Sequence, residues 1–253
     1  MTMLTFLPPI FYAFLLEVID ASFGGGYGTI LSPMLLMLGF APLDVVPAIL
    51  ISQLIGDFLS AFFHHEFKSV DLSFHSKMFK MAGVLAALGS LGSILSVILA
   101  INLPKVYLSM YIGAIVFAAG ALTLLFLNKQ LNFSWHRLMA IGFIAAFNKG
   151  LSGGGYGPLL TSGQIISGVD SKGAVAVTSL AEGIVCIVAA LTYMVTGRSF
   201  DWALVTTLSI GVALSAPVSA FIIKKIESNK LKMIIGAMTL VLGLATMLRL
   251  ANA

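Results

Sequence analysis

The sequence predicts an all-α polytopic membrane protein built from two inverted repeats, each a glycine-broken helical hairpin followed by three transmembrane helices. Three observations carry that class. Hydrophobic residues make up 59% of the 253 residues and charged residues only 9%, where soluble globular chains carry roughly 25% charged residues. A soluble fold cannot cover so much apolar surface, so lipid is the expected solvent, and the mean hydropathy of +1.05 agrees. Apolar stretches recur along the whole length, as a polytopic chain requires. Finally, Gly24-Gly25-Gly26-Tyr27-Gly28 returns as Gly153-Gly154-Gly155-Tyr156-Gly157, each copy inside a long apolar stretch of its own half.

Taken in order, the apolar cores fall at 5–22, 29–40, 44–63, 79–101, 105–127, 136–150, 157–168, 174–196, 202–223 and 231–250. A spanning helix needs about 20 residues, and the cores at 29–40 and 157–168 are too short. Each follows a glycine-rich break, so 5–40 and 136–168 each read as two helices joined by a tight turn. The whole chain, 1–253, forms one membrane domain with repeat halves 1–128 and 129–253. Weaker self-similarity runs beyond the turns: Ser52-Gln53-Leu54-Ile55-Gly56 parallels Ser179-Leu180-Ala181-Glu182-Gly183, and Tyr111-Ile112-Gly113-Ala114 parallels Ile234-Ile235-Gly236-Ala237. Glu17 and Asp20 interrupt the first apolar run and no basic segment precedes it, so it is expected to remain rather than act as a cleaved signal.

Charge placement decides whether each broken pair crosses once or turns back, because cytoplasmic loops collect Lys and Arg. If the pairs cross once, the two faces hold similar numbers of basic residues. If they return, one face holds Lys68, Lys77, Lys80, Lys129, Arg137, Lys172, Lys224, Lys225, Lys230 and Lys232, and the other holds Lys105, Arg198 and Arg249. The returning arrangement fits the rule. It makes each half an odd number of crossings, inverts the second half relative to the first, and puts both termini outside the cytoplasm. Trp135 and Trp202 stand at segment ends as interface anchors.

Polar breaks at matching places in two hydrophobic halves point to a secondary transporter's binding site. Backbone N–H groups left free at a helix N-terminus favour an anion, so Gly24, Gly25, Gly26, Tyr27 and Gly28 with Gly153, Gly154, Gly155, Tyr156 and Gly157 are candidate binding residues. Close helix packing through small residues is the other reading of the same glycines. Lys149 is the only basic residue deep in an apolar core, and its repeat equivalent, 129 positions earlier, is Asp20. A buried ammonium wants an anion or a carboxylate partner. Lys149 and Asp20 can form an ion pair, divide substrate and proton duties, or snorkel to an interface. Asp20, Asp57 and Glu182 are candidates for proton or ion coupling, with Glu17, Gln53 and Gln164 as further intramembrane polar residues. His64 and His65, at a segment end, read as interfacial loop residues.

The composition also excludes. Basic residues scattered in short runs do not make a nucleic-acid patch despite a net charge of +4. No metal site is expected, since the single Cys186 lacks ligand spacing and reads as a small core- or lipid-facing residue. Without Gly-x-Gly-x-x-Gly or Gly-Lys-Ser, no nucleotide site is expected, and no cofactor. An anion channel would share the transporter's site. A membrane enzyme or electron-transfer subunit would need histidine pairs or cysteine pairs that the sequence does not offer.

On its two similar halves, on Gly24-Gly25-Gly26-Tyr27-Gly28 followed by Pro33, and on Ser152-Gly153-Gly154-Gly155-Tyr156-Gly157-Pro158, the chain resembles the sulfite exporter family named for TauE and SafE, also called the toluene-sulfonate uptake permease family. The resemblance spans essentially the whole chain. It implies a multi-pass plasma (inner) membrane permease moving sulfite or an organosulfonate. The implied partners are a small anionic substrate, the lipid bilayer and, as a candidate, a second copy of the chain. The resemblance bears only on the two glycine turns; Asp20 and Lys149 come from the repeat.

Overall fold

A computed structural model describes residues 7–37, 40, 42–68, 70–100, 133–196 and 200–251, with five positions between 117 and 125. Among the described residues all regular structure is helical. The helices are Leu7–Phe23 (α1), Tyr27–Met37 (α2), Pro42–Glu66 (α3), Lys77–Ala100 (α4), Trp135–Ser152 (α5), Tyr156–Ile166 (α6), Ser171–Val195 (α7), Trp202–Lys225 (α8) and Ser228–Ala251 (α9). The expected cores match these within a few residues, except 105–127, which apart from those five positions lies outside the described residues. The tyrosines of the two motifs are the first residues of α2 and α6.

Among the described residues, four helices are long and apolar enough to cross a membrane: Asp44–Glu66, Lys77–Leu99, Ser171–Val195 and Trp202–Lys225. At 1.5 Å per residue each reaches about 35 Å, enough for a hydrocarbon core of about 30 Å. Their outer faces carry large apolar side chains: Leu91, Leu95 and Ile98 on α4, and Ile210, Leu214 and Phe221 on α8, are all more than half exposed. In water such faces would be a liability; against lipid they are the stable choice. Side-chain caps set helix starts where the sequence supplies them. Asp170 accepts the Gly173 N–H, and Asp201 accepts the N–H groups of Ala203 and Leu204, satisfying donors that the first turn leaves free.

Contacts fix the helix directions. Ile10 lies against Gly211 and Ser22 Oγ donates to Ser219 O at 3.5 Å, so α1 and α8 climb together. Gly56 lies at Val212, and the Lys224 ammonium stands 5.9 Å from the Phe67 ring, so α3 runs with them. Leu85 lies at Gly142 and Ser96 at Gly150, so α4 runs with α5; Met78 lies at Gly173 and Val185 at Gly89, so α7 runs with α4. Lys172 Nζ, at the start of α7, donates to Lys224 O at the end of α8, 3.3 Å away. Thus α1, α3 and α8 point one way and α4, α5 and α7 the other.

The broken pairs turn back. The Ser134 N–H, just before α5, donates to Ser167 O, just after α6, at 3.2 Å. At the opposite end, Leu35 and Phe40 pack with Val45, Leu204 and Val205, near where α3 and α8 begin. The directions therefore gather Lys68, Lys77, Lys172, Lys224, Lys225 and Lys230 at one end of the molecule, together with the Lys77–Phe133 cation–π contact (4.4 Å). The side chains of Lys105, Lys129, Arg198, Lys232 and Arg249 lie outside the described residues.

The two turns meet at the centre. α1 and α5 each stop at a left-handed glycine, Gly24 (φ 78°) and Gly153 (φ 72°), whose N–H groups bond back to Asp20 O and Lys149 O. This is the glycine C-cap that ends many helices. Beyond it, backbone meets backbone. A methyl on Gly154 would lie 2.8 Å from the Gly28 carbonyl carbon, and one on Gly157 would lie 2.8 Å from Gly25 Cα. Gly154→Ala is thus expected to destabilise the purified protein by at least the ~1–3 kcal/mol of an overpacked core. Gly83→Ala, with nothing within 4 Å of the new methyl, is expected to leave the detergent melting temperature unchanged or slightly raised.

Candidate functional site

Directly beside the joined turns lies a polar network with no comparable exposure anywhere along it. Glu17, Asp20, Gln53, Asp57, Asn148, Lys149 and Glu182 are each at most 5% exposed. They come from α1, α3, α5 and α7, helices of both halves. Residues in such a place are costly unless they satisfy one another.

The centre of the network is Lys149, near the end of α5. Its ammonium lies 2.7 Å from Glu182 Oε1 and also donates to Gln53 Oε1. The Gln53 amide completes the circuit: Nε2 donates to Glu182 Oε1 at 2.9 Å and to Asp20 Oδ2 at 3.3 Å. Asp20 Oδ1 in turn accepts the Tyr27 N–H at 2.9 Å, which places a carboxylate on the N-terminus of α2, where the helix dipole favours an anion. Lys149 does not snorkel. Its direct carboxylate partner is Glu182, and Asp20, its repeat equivalent, is reached only through Gln53.

The backbones of the halves correspond here but their side chains do not. Asp20 caps the first turn, while a lysine stands at the same place before the second. That second turn borrows an acceptor from the other half: the Gly155 N–H donates to Thr29 Oγ1 at 3.0 Å. Thr161 Oγ1 returns the exchange by donating to Gly24 O at 2.9 Å, and it lies 2.9 Å from Thr178 Oγ1, which accepts from Gln164 Nε2 at 2.7 Å. Tyr27 OH is 2.7 Å from Ser52 Oγ, whereas the hydroxyl of its counterpart Tyr156 is buried with no hydrogen-bond partner among the described residues.

Every side chain singled out for coupling in the sequence, Asp20, Asp57 and Glu182, lies in this one region with both glycine motifs and Lys149. The threonines escaped notice because hydroxyls on apolar helices are common. The available signal was register: Thr29 follows the first motif where Pro158 follows the second. His64 requires a correction. It is fully buried on α3 with Nε2 3.2 Å from Ala21 O, not in an interfacial loop, because α3 continues to Glu66 past the expected end. His65 is exposed as expected, and Cys186 is buried in the core.

Glu17 sits against Gly56, and its two carboxylate oxygens are buried without a hydrogen-bond partner among the described residues, as is Asp57 Oδ2. Glu17, Asp20 and Asp57 each bring a carboxylate oxygen within 4.8 Å of the others. The network thus holds four carboxyl groups and one amine.

Breaking a buried ion pair by removing one partner costs about 3–5 kcal/mol, while removing both can be nearly neutral. Lys149→Met is expected to lower stability by about that amount, and Lys149→Met with Glu182→Gln to recover most of it. Melting curves of the purified proteins read both. An equal loss in the single and double variants would show that the pair is not coupled.

The family model described as "Sulfite exporter TauE/SafE" matches residues 10–246 of the chain. The chain is also 22% identical over 250 residues to the "Probable membrane transporter protein YtnM" of Bacillus subtilis (strain 168), covering 94% of this chain and 81% of that protein. No solved structure matches the chain. With a family match over nearly its full length and helices suited to lipid, the chain belongs to the sulfite exporter TauE/SafE family, a membrane transporter in class.

Proposed function

We propose that the protein is a secondary transporter that moves a small anion, sulfite or an organosulfonate, across the plasma membrane by alternating access of two inverted halves. The observation that carries this reading is the buried Lys149–Glu182 pair beside the contact between the two glycine turns. The antiparallel course of α3 and α7, and of α1 and α5, supports inversion of halves 1–128 and 129–253. The clustering of lysines at one end supports a cytoplasmic face there, with both termini on the other side.

In this mechanism the turns 24–28 and 153–157 part on one side of the membrane at a time. An entering oxyanion takes the place of Glu182 on the Lys149 ammonium, and free N–H groups of the parted turns bind its other oxygens. Asp20 on the Tyr27 N–H already has the geometry of such an oxyanion. A carboxylate displaced from its ammonium in a dry site is expensive, so Glu182 takes up a proton as the anion binds. Asp20 and Asp57 lie within the same network and share the coupling role.

The test is flux into proteoliposomes carrying the purified protein, with labelled sulfite and a panel of sulfonates. Saturable uptake is expected, and Lys149→Met should reduce it at least about tenfold, the equivalent of ~1.4 kcal/mol of binding. Failure of every anion to move, or unchanged flux in Lys149→Met, overturns the reading. Topology is checked in a Cys186→Ala background. Cysteines placed between 67 and 76 should label only from the cytoplasmic side, and tags at both termini only from outside.

A further inference from the structure

The polar network has a surplus of negative groups that the anion reading alone does not use. Lys149 and Gln53 serve Glu182, and Gln53 and the Tyr27 N–H serve Asp20. Glu17 and Asp57 are left over. An acidic cluster by itself is common, but these groups are not ordinary. Glu17 is 0% exposed and Asp57 1%, and both Glu17 oxygens and Asp57 Oδ2 have no hydrogen-bond partner among the described residues. A buried carboxylate without partners is among the costliest arrangements in a fold. A proton taken up or a cation held would relieve that cost, and an anionic substrate would not.

The geometry points to the occupant. Oxygens of Glu17, Asp20 and Asp57 within 4.8 Å of one another all lie within about 2.8 Å of a common point, a small adjustment away from the roughly 2.3–2.6 Å at which a hard cation meets oxygen ligands. The charged neighbours are Lys149 and Glu182, which are paired with each other, and the buried Cys186 and Tyr156 are further titratable groups within electrostatic reach. α8 contributes Val212 at this level, with its Lys224 and Lys225 at the far end. α3 adds Gln53, α2 adds Tyr27, and α7 and α5 add the mutually paired Glu182 and Lys149. α9 has its Lys230 near the start of the helix, paired with Glu227. A carrier must release its ion in every cycle, and affinity for divalent ions climbs with carboxylate count. The site therefore suits monovalent charge.

We propose that Glu17, Asp20 and Asp57 form a coupling site for a small monovalent cation, sodium or protons, set in the first half beside the lysine-centred site. Its role in coupling rests on the anion-transport reading; the cation site itself does not. Loading the site cancels negative charge within reach of Lys149 and so favours an incoming anion.

The experiment reads the cation without any anion flux. Purified protein is melted in choline buffer with and without sodium from pH 5.5 to 8.5, and binding of radioactive sodium is measured in parallel. If sodium is the occupant, it stabilises the wild type saturably and binds at about one per chain; ligands specific to the folded state act in this way. If protons are the occupant, sodium has no effect and stability rises as the pH falls. In either case Glu17→Gln and Asp57→Asn, separately, should weaken the response at least tenfold in midpoint concentration of the responsive ion, while Glu66→Gln, on the exposed end of α3, leaves it intact. Both site variants remove buried repulsion and are expected to be at least as stable as wild type in choline at pH 8.5, so a lost response is distinguishable from misfolding. The proposal is overturned if neither ion changes stability, or if the response persists in the Glu17→Gln/Asp57→Asn double variant. A failed anion assay would leave these results standing, and their failure would leave anion transport standing.

Discussion

Backbone-to-backbone contact between the two glycine turns is the constraint on which the rest of the structure depends. Helix packing in lipid gains little from the hydrophobic effect, so close approach and internal polar contacts must supply specificity. Here the approach is symmetric in kind: Gly28 lies on Gly154, and Gly25 lies on Gly157. No side chain can intrude at these points without moving backbone. Ending α1 and α5 at the same depth brings Asp20 and Lys149 to the level of Gln53 and Glu182. It also sets the N-termini of α2 and α6 beside one another, two positive dipole ends at one place.

Two positive helix ends and an ammonium would make a strong anion site on their own. The protein surrounds them instead with four carboxyl groups, three of them on the first half. The result is a site whose sign depends on what else is bound. With Glu182 on Lys149 and Asp20 on the Tyr27 N–H, the positive elements are already occupied by the protein's own carboxylates. On the proposed reading a substrate anion displaces one, and displacement in a low dielectric is favourable only if a positive charge arrives too. Coupling, on that reading, is a consequence of electrostatics in a dry site rather than an added device, and the asymmetry between halves decides which half carries which charge.

Much of this was legible in the sequence, for identifiable reasons. Helix positions follow from apolar length, and the hairpins follow from counting lysines, because direction in a membrane is written in loop charge. The side-chain pairing was not legible. Repeat register set Asp20 and Lys149 as equivalents, but equivalence in a repeat does not make two residues partners: the ammonium's carboxylate is Glu182. Gln53 fills the space between Asp20 and Lys149. Glu17 was visible as a polar residue and invisible as an unpartnered one, since partnership depends on packing. His64 was misread because α3 runs past the end of its apolar core, and a histidine facing Ala21 needs no exposure.

The central claim is that Lys149 exchanges its own carboxylate for the substrate's oxyanion. It is tested most directly by a high-resolution structure of the protein in lipid nanodiscs with sulfite at saturating concentration. The account predicts density for the anion within hydrogen-bond distance of Lys149 Nζ, with Glu182 withdrawn and the turns at 24–28 and 153–157 parted on one side. An intact Lys149–Glu182 pair with the anion bound elsewhere would contradict it.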